Sequence, residues 1–190
     1  MGTSKIQIIS NAISLIGKGP ITTIADAGKF ATFADSWYDM TLPSVLSQGN
    51  WRFATAIQSL SLLVDSPSVD DWAYAYQLPA NYLSLVRLYP YSTDFMIYEN
   101  KLLYSNFYAS TGLKVEFRFK PAESRFPDYF TEYFTYYLAQ RLGMCASINS
   151  EILQQLKMWE MDAKSKAFGA NGSSIPNQSI RSNPFIDVRG

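Results

Sequence analysis

The sequence predicts an α+β protein: mainly an α-helical bundle, with a small antiparallel β-sheet or hairpin inserted in it and an extended C-terminal tail. Three observations carry that expectation. Apolar residues recur at helical spacing toward both ends of the chain. They alternate with polar residues between about positions 72 and 120. Beyond residue 168 the periodicity gives way to Gly, Ser, Asn and Pro. The expected division is therefore one folded domain over 1–168 and an extended arm over 169–190.

In chain order, Ser4-Lys5-Ile6-Gln7 has the form of a capping box, and Ile6, Ile9, Ile13 and Ile16 follow on one helical stripe. Gly17, Gly19 and Pro20 close that helix, over about 4–17. The Gly17-Lys18-Gly19 cluster lacks the spacing of a phosphate loop. A second helix, about 26–47, opens near Thr23 or Asp26 and carries Phe30, Phe33, Trp37 and Met40 on one face. Pro43 is expected to bend it or close its first part. Trp51-Arg52-Phe53-Ala54 then begins either a short helix or a strand.

From there the period changes to two. Trp72, Tyr74 and Tyr76 alternate with Ala73, Ala75 and Gln77, and Tyr82–Leu88 is an apolar run of strand length. Phe95–Tyr98 and Leu102–Tyr104 flank Glu99-Asn100-Lys101 as a hairpin, with Asn100 suited to positive φ. Val115, Phe117 and Phe119 alternate with charged residues, the mark of a half-buried strand.

The stretch from Phe126 to Leu142 is the richest in aromatics. Pro127 and Asp128 start a helix of about 127–142, with Phe130, Phe134, Tyr137 and Arg141 on one stripe and Tyr129, Tyr133 and Tyr136 on the next. Gly143 is the expected stop. A last helix, about 150–168, carries Ile152, Leu156, Trp159, Ala163 and Ala167 on its apolar side, with Glu160–Lys164 and Asp162–Lys166 as i,i+4 pairs.

Composition narrows the function classes. Apolar residues make up 47% and aromatics 15% of the 190 residues, which fits a folded core and not a disordered chain. Lys+Arg and Asp+Glu are 16 each, so a basic excess of the kind that dedicated nucleic-acid binders show is missing. The sequence contains no histidine and one cysteine, Cys145, which removes the commonest general base and metal ligand. No signal-peptide pattern stands at the N-terminus, and no window approaches the roughly 18 apolar residues of a membrane span. The expectation is a soluble protein of a reducing compartment.

No catalytic constellation emerges, so the expectation is not an enzyme, with no cofactor and no metal. Cys145 reads as a packed thiol, not a nucleophile. Asp70 and Asp71 are adjacent, point to opposite sides of an extended chain, and read as a solvated turn. The surplus of rings reads as interface. Tyr129, Tyr133 and Tyr136, with Trp159, are the candidates for a subunit contact, since one core needs only one stripe. Phe95, Met96, Tyr98, Tyr104, Phe107 and Tyr108 form a candidate partner-facing tip. In the tail, Arg181, Pro184, Phe185, Ile186, Val188 and Arg189 look like a docking segment. The alternative function is a single-stranded nucleic-acid-binding module that stacks bases on exposed aromatics.

Taken together, KIQIISNAISLIGKGPITTI, the Trp37-Tyr38-Asp39 helix with Leu42 and Leu46, Trp51-Arg52-Phe53-Ala54, WAYAYQLPANYLSLVRLY, the Tyr98-Glu99-Asn100 hairpin and the paired C-terminal helices resemble one family. It is the head-to-tail adaptor (connector), or tail tubular protein A, family of short-tailed double-stranded DNA bacteriophages. The resemblance covers nearly the whole chain. It implies a structural virion protein, made in the host bacterial cytoplasm, that forms a ring, typically dodecameric, at the head–tail junction. It implies that the tail segment docks on the portal protein and the β-rich tip faces the tail nozzle or tube protein. Genomic DNA would pass through the channel without sequence recognition, and no membrane is involved.

Overall fold

The computed structural model describes residues 3–25, 28–65, 67–69, 71–90, 93–99 and 101–173. Among these, four helices form: α1 (Lys5–Leu15), α2 (Gly28–Gln48), α3 (Asp128–Cys145) and α4 (Ser150–Ser173). Between α2 and α3 lie six strands in succession: β1 (Thr55–Leu60), β2 (Tyr74–Gln77), β3 (Tyr82–Tyr89), β4 (Phe95–Tyr98), β5 (Leu102–Ser105) and β6 (Leu113–Phe119). The strands make two three-stranded antiparallel sheets, ordered β1-β6-β3 and β2-β5-β4.

This corrects the expectation of a mainly helical bundle with one small sheet inserted. The molecule is a mixed α/β fold in which the sheets have their own core: Leu60, Tyr76, Leu88, Leu103, Leu113, Val115 and Phe117 are buried together. The β-region begins at Thr55, well before the expected start near 72. β1 escapes a pattern search because Ile57, Gln58 and Ser59 are all exposed, so its alternation is broken. After β1 the chain moves to the second sheet. The Leu63 amide donates to the Ala75 carbonyl at 2.9 Å and the Gln77 amide to the Ser61 carbonyl at 3.2 Å. Residues 61–63 thus cover one edge of β2 and stitch the sheets together.

The helical core is built on α3, which packs against α1, α2 and α4. Half of the expected capping box forms, with Ser4 Oγ accepting from the Gln7 amide at 3.3 Å. Ile9, Ile13 and Ile16 are buried as expected, joined by Ile8 and Ala12. α2 departs from the expectation in its buried face. Pro43 sits inside one continuous helix and so does not close its first part. The buried face is Ala31, Ala34, Tyr38, Leu42 and Val45, whereas Phe33 and Met40 are exposed. Small alanines let α2 approach its neighbours closely; Tyr38 is fully buried and Phe30 and Trp37 are half-buried against the core, so two of the four expected residues pack on it. The expected helix start at Asp26 and the turn residue Asn100 lie outside the described residues; among the described residues of the hairpin Glu99 has a positive φ of 50°.

α3 runs two residues past its expected stop. Gly143 is interior because an added Cβ would lie 2.7 Å from Ile148 Cδ1, where the chain folds back toward α4. α4 also runs longer than expected, through Ser173, so residues 169–173 are helix and not extended tail. The end of this helix is poor in helix formers, with Gly169 and Gly172. It is held from outside: Asn171 Oδ1 accepts from the Arg52 amide at 3.0 Å, and Asn171 Nδ2 donates to the Asn50 carbonyl at 2.8 Å. Between those contacts stands Trp51, 1% exposed, whose Nε1 donates to the Val45 carbonyl at 3.0 Å. Phe130, Tyr133 and Phe168 surround it at centroid distances of 5.1, 6.1 and 4.7 Å.

Candidate interaction surfaces

Sequence reasoning singles out a tip, an aromatic helix face and a tail. At the tip the structure divides the candidates. Tyr104 is 2% exposed and stacks on Tyr98 at 5.2 Å, while Met96 and Tyr98 are half-buried. Phe95, Phe107 and Tyr108 project from the surface, at 43%, 40% and 57% exposure. With Tyr98 and Tyr104 turned onto each other, fewer ring faces remain for stacking bases.

The loop that carries Phe107 and Tyr108 is braced from within. Ser105 Oγ donates to the Asp94 carbonyl at 2.9 Å and accepts from the Phe107 amide at 3.1 Å. The Tyr76 hydroxyl donates to the Phe107 carbonyl at 2.7 Å and accepts from the Ala109 amide at 3.0 Å. Asn106 ties the same loop to the segment before β2, accepting from the Ala73 amide at 2.8 Å and donating to the Asp71 carbonyl at 3.1 Å. Tyr108 leans on Tyr74 at 5.2 Å. Two outward rings are therefore held by a satisfied polar network, an arrangement that lowers the ordering cost of a contact.

On the helices, Tyr133 turns inward and Trp159 outward. Tyr133 is 2% exposed and part of the Trp51 cluster; burial, with the charge of Glu160 adding to it, pushes its hydroxyl up to about 12. Tyr129 and Tyr136 are half-buried, and Tyr136 meets Trp159 at 5.8 Å. α4 exposes Ile152, Met158, Trp159, Met161 and Phe168. Ile152 and Trp159 are thus outside the core, and Asn171 joins Leu156, Ala163 and Ala167 on the buried side. The Asp162–Lys166 pair forms at 2.6 Å. Tyr137 carries Arg141, whose guanidinium lies 5.1 Å from the ring centroid.

A groove of about 550 Å³ opens between α1 and α3, lined by Asn11, Ser14, Leu15, Asp128, Thr131, Glu132, Thr135 and Tyr136. Elsewhere, Lys5 reaches Asp35 at 2.8 Å and Asp39 at 2.9 Å, fastening α1 to α2. Burial pulls the Lys5 ammonium down, but the two carboxylates more than offset this and its pKa is raised. The Tyr38 hydroxyl donates to Glu123 Oε1 at 3.1 Å, and burial, then Glu123, holds it well above the ordinary phenol range.

Cys145 is exposed at the end of α3, which corrects the expectation of a packed thiol. Among the described residues, no group of three or more His, Cys, Asp or Glu is placed to hold a metal ion, and no helix is long and apolar enough to cross a membrane. Asp70, Arg181, Pro184, Phe185, Ile186, Val188 and Arg189 lie outside the described residues. Sequence reasoning missed the Asn171 bridge and the braced 105–109 loop. Both consist of side-chain bonds to backbone that is distant in sequence, and no local pattern announces those. No protein-family model and no curated protein matches the chain.

Proposed function

We propose that this chain is a structural virion protein: a ring-forming adaptor that joins a portal to the nozzle or tube of a short phage tail. Both cores are filled, yet apolar surface remains in two separate places. One is the outer side of α4, with Met158, Trp159 and Met161. The other is the sheet tip, with Phe107 and Tyr108 held outward by the Ser105, Asn106 and Tyr76 bonds. That second surface is the observation that carries the reading. A fold that spends buried hydroxyls on presenting rings to solvent has a partner for them.

In this reading the helical half supplies the contacts between subunits, the tip meets the nozzle or tube protein, and residues 174–190 form the arm that docks on the portal. DNA passes through the channel unread, in keeping with zero formal net charge. The test is co-assembly. The full chain, a Phe107→Ala/Tyr108→Ala variant and a chain ending at Ser173 are each added to purified portal rings and then to nozzle protein. The tip variant should bind portal but not recruit nozzle, and the shortened chain should fold but not bind portal. A shortened chain that binds portal as well as the full one would refute the arm assignment. Strong salt-dependent binding to single-stranded DNA by the isolated chain would favour the nucleic-acid reading instead.

A further inference from the structure

The two flanks of α4 differ in chemistry. On one flank lies the α1–α3 groove, about 550 Å³, with Leu15 in its wall and the exposed carboxylates of Asp128 and Glu132 along α3. Tyr136 borders the groove and meets Trp159 of α4 at 5.8 Å, which fixes the side of α4 that faces it. The lysine on this side, Lys166, is engaged by Asp162 at 2.6 Å and also feels the charge of Glu132, which leaves three carboxylates to one lysine there.

On the other flank, Lys157, Met161, Lys164 and Phe168 fall at i, i+4, i+7 and i+11 and make one exposed ridge. Phe168 packs, tilted, against Trp51 at 4.7 Å. At about 100° per residue, positions 159 and 168 stand about half a turn apart around the helix. Groove and ridge therefore look in opposite directions from the same chain, one acidic and one basic, each with an apolar centre.

We infer that the ridge of one copy of this chain seats in the groove of the next, Met161 against Leu15 and the two lysines toward Asp128 and Glu132. The lysines are two turns apart, roughly 10 Å along the axis, and the carboxylates one turn apart; the flexible lysine stems span the difference. Because groove and ridge share no residue, the contact is head-to-tail and repeats from copy to copy, which is how a ring closes. The inference rests on the ring reading and specifies which surfaces would meet.

Charge reversal in the full chain tests it, by sedimentation velocity at low salt. Glu132→Lys alone and Lys164→Glu alone should each lower the self-association constant roughly tenfold or more, and the two together in one chain should restore most of it. A second arm uses Leu15→Cys with Met161→Cys in a Cys145→Ser background. Oxidation should give a ladder of dimers, trimers and larger species. Wild-type protein that does not self-associate overturns this contact while leaving a portal-templated ring standing. Association indifferent to both reversals overturns it too, and leaves the ring to other surfaces. A ladder that stops at dimers contradicts the head-to-tail geometry.

Discussion

The helical half and the sheet half of this chain reach order by different means. Around Trp51 the helices are locked by rings: Phe130, Tyr133, Phe168 and Phe53 crowd one indole, and Phe130 in turn stacks on Phe134 at 6.0 Å. Helical backbone satisfies its own polar groups, which frees side chains to pack. In the sheet half the aliphatic core is smaller, and the connections between short strands are held by Ser105, Asn106 and Tyr76 bonding to backbone. The comparison teaches that rings buried in one half are structural, while rings held outward by polar bonds in the other are available to a partner.

Several substitutions would break or sharpen that contrast. The largest effect is expected at the centre of the helical half. Trp51→Ala should cost about 3–5 kcal/mol, from the cavity and from the unpaired Val45 carbonyl, read as a fall in the urea midpoint. Asn171→Ala should cost about 1–3 kcal/mol, since it strands the Arg52 amide and the Asn50 carbonyl, and it should speed hydrogen exchange in the last turn of α4. Ser105→Ala should cost a similar roughly 1–3 kcal/mol, because Ser105 is fully buried and serves both Asp94 and Phe107. In addition it should loosen the tip, visible as faster exchange over 105–109.

Tyrosines in both halves whose pKa is raised by burial, Tyr76 and Tyr82 as well as Tyr133, give an alkaline pH response, and Tyr133 isolates a part due to the helical half. Tyr133 has its pKa raised to about 12 from the ordinary value of 10, so its neutral form is favoured by folding. That contribution is fully present below pH 10 and is lost as pH rises toward 12. Tyr133→Phe should therefore shrink the fall in stability over that interval, measured by urea unfolding at a series of alkaline pH values. The smallest effect on stability is expected at the tip. Phe107→Ala/Tyr108→Ala should lower the unfolding free energy by less than about 0.5 kcal/mol while abolishing nozzle recruitment. A large loss of stability there would mean that the two rings are core after all.

How far the fold was legible follows from the same contrast. α1 and α3 announce themselves by Ser4, Pro127 and their stripes, the β4–β5 hairpin by its polar turn at 99–101, and β6 by strict alternation. Size is a poor guide to burial on α2: Phe30 and Trp37 pack on the core, but Phe33 and Met40 are large and exposed while Ala31 and Ala34 are buried. β1 is hidden from a pattern search because it is exposed over three successive positions, 57–59, and gains its place from pairing with β6. At the candidate surfaces, the types of residue at the tip and on α4 were legible, but which rings turn inward was not. Tyr104 and Tyr133 look no different in sequence from Tyr108 and Tyr136.

The central claim, that the surplus apolar surface is a ring contact, is tested most directly by the mass of the full chain in solution, measured by light scattering alone and with added portal protein. A closed species of many subunits, formed unaided or on the portal, is the expected result. A monomer in both conditions would contradict the account.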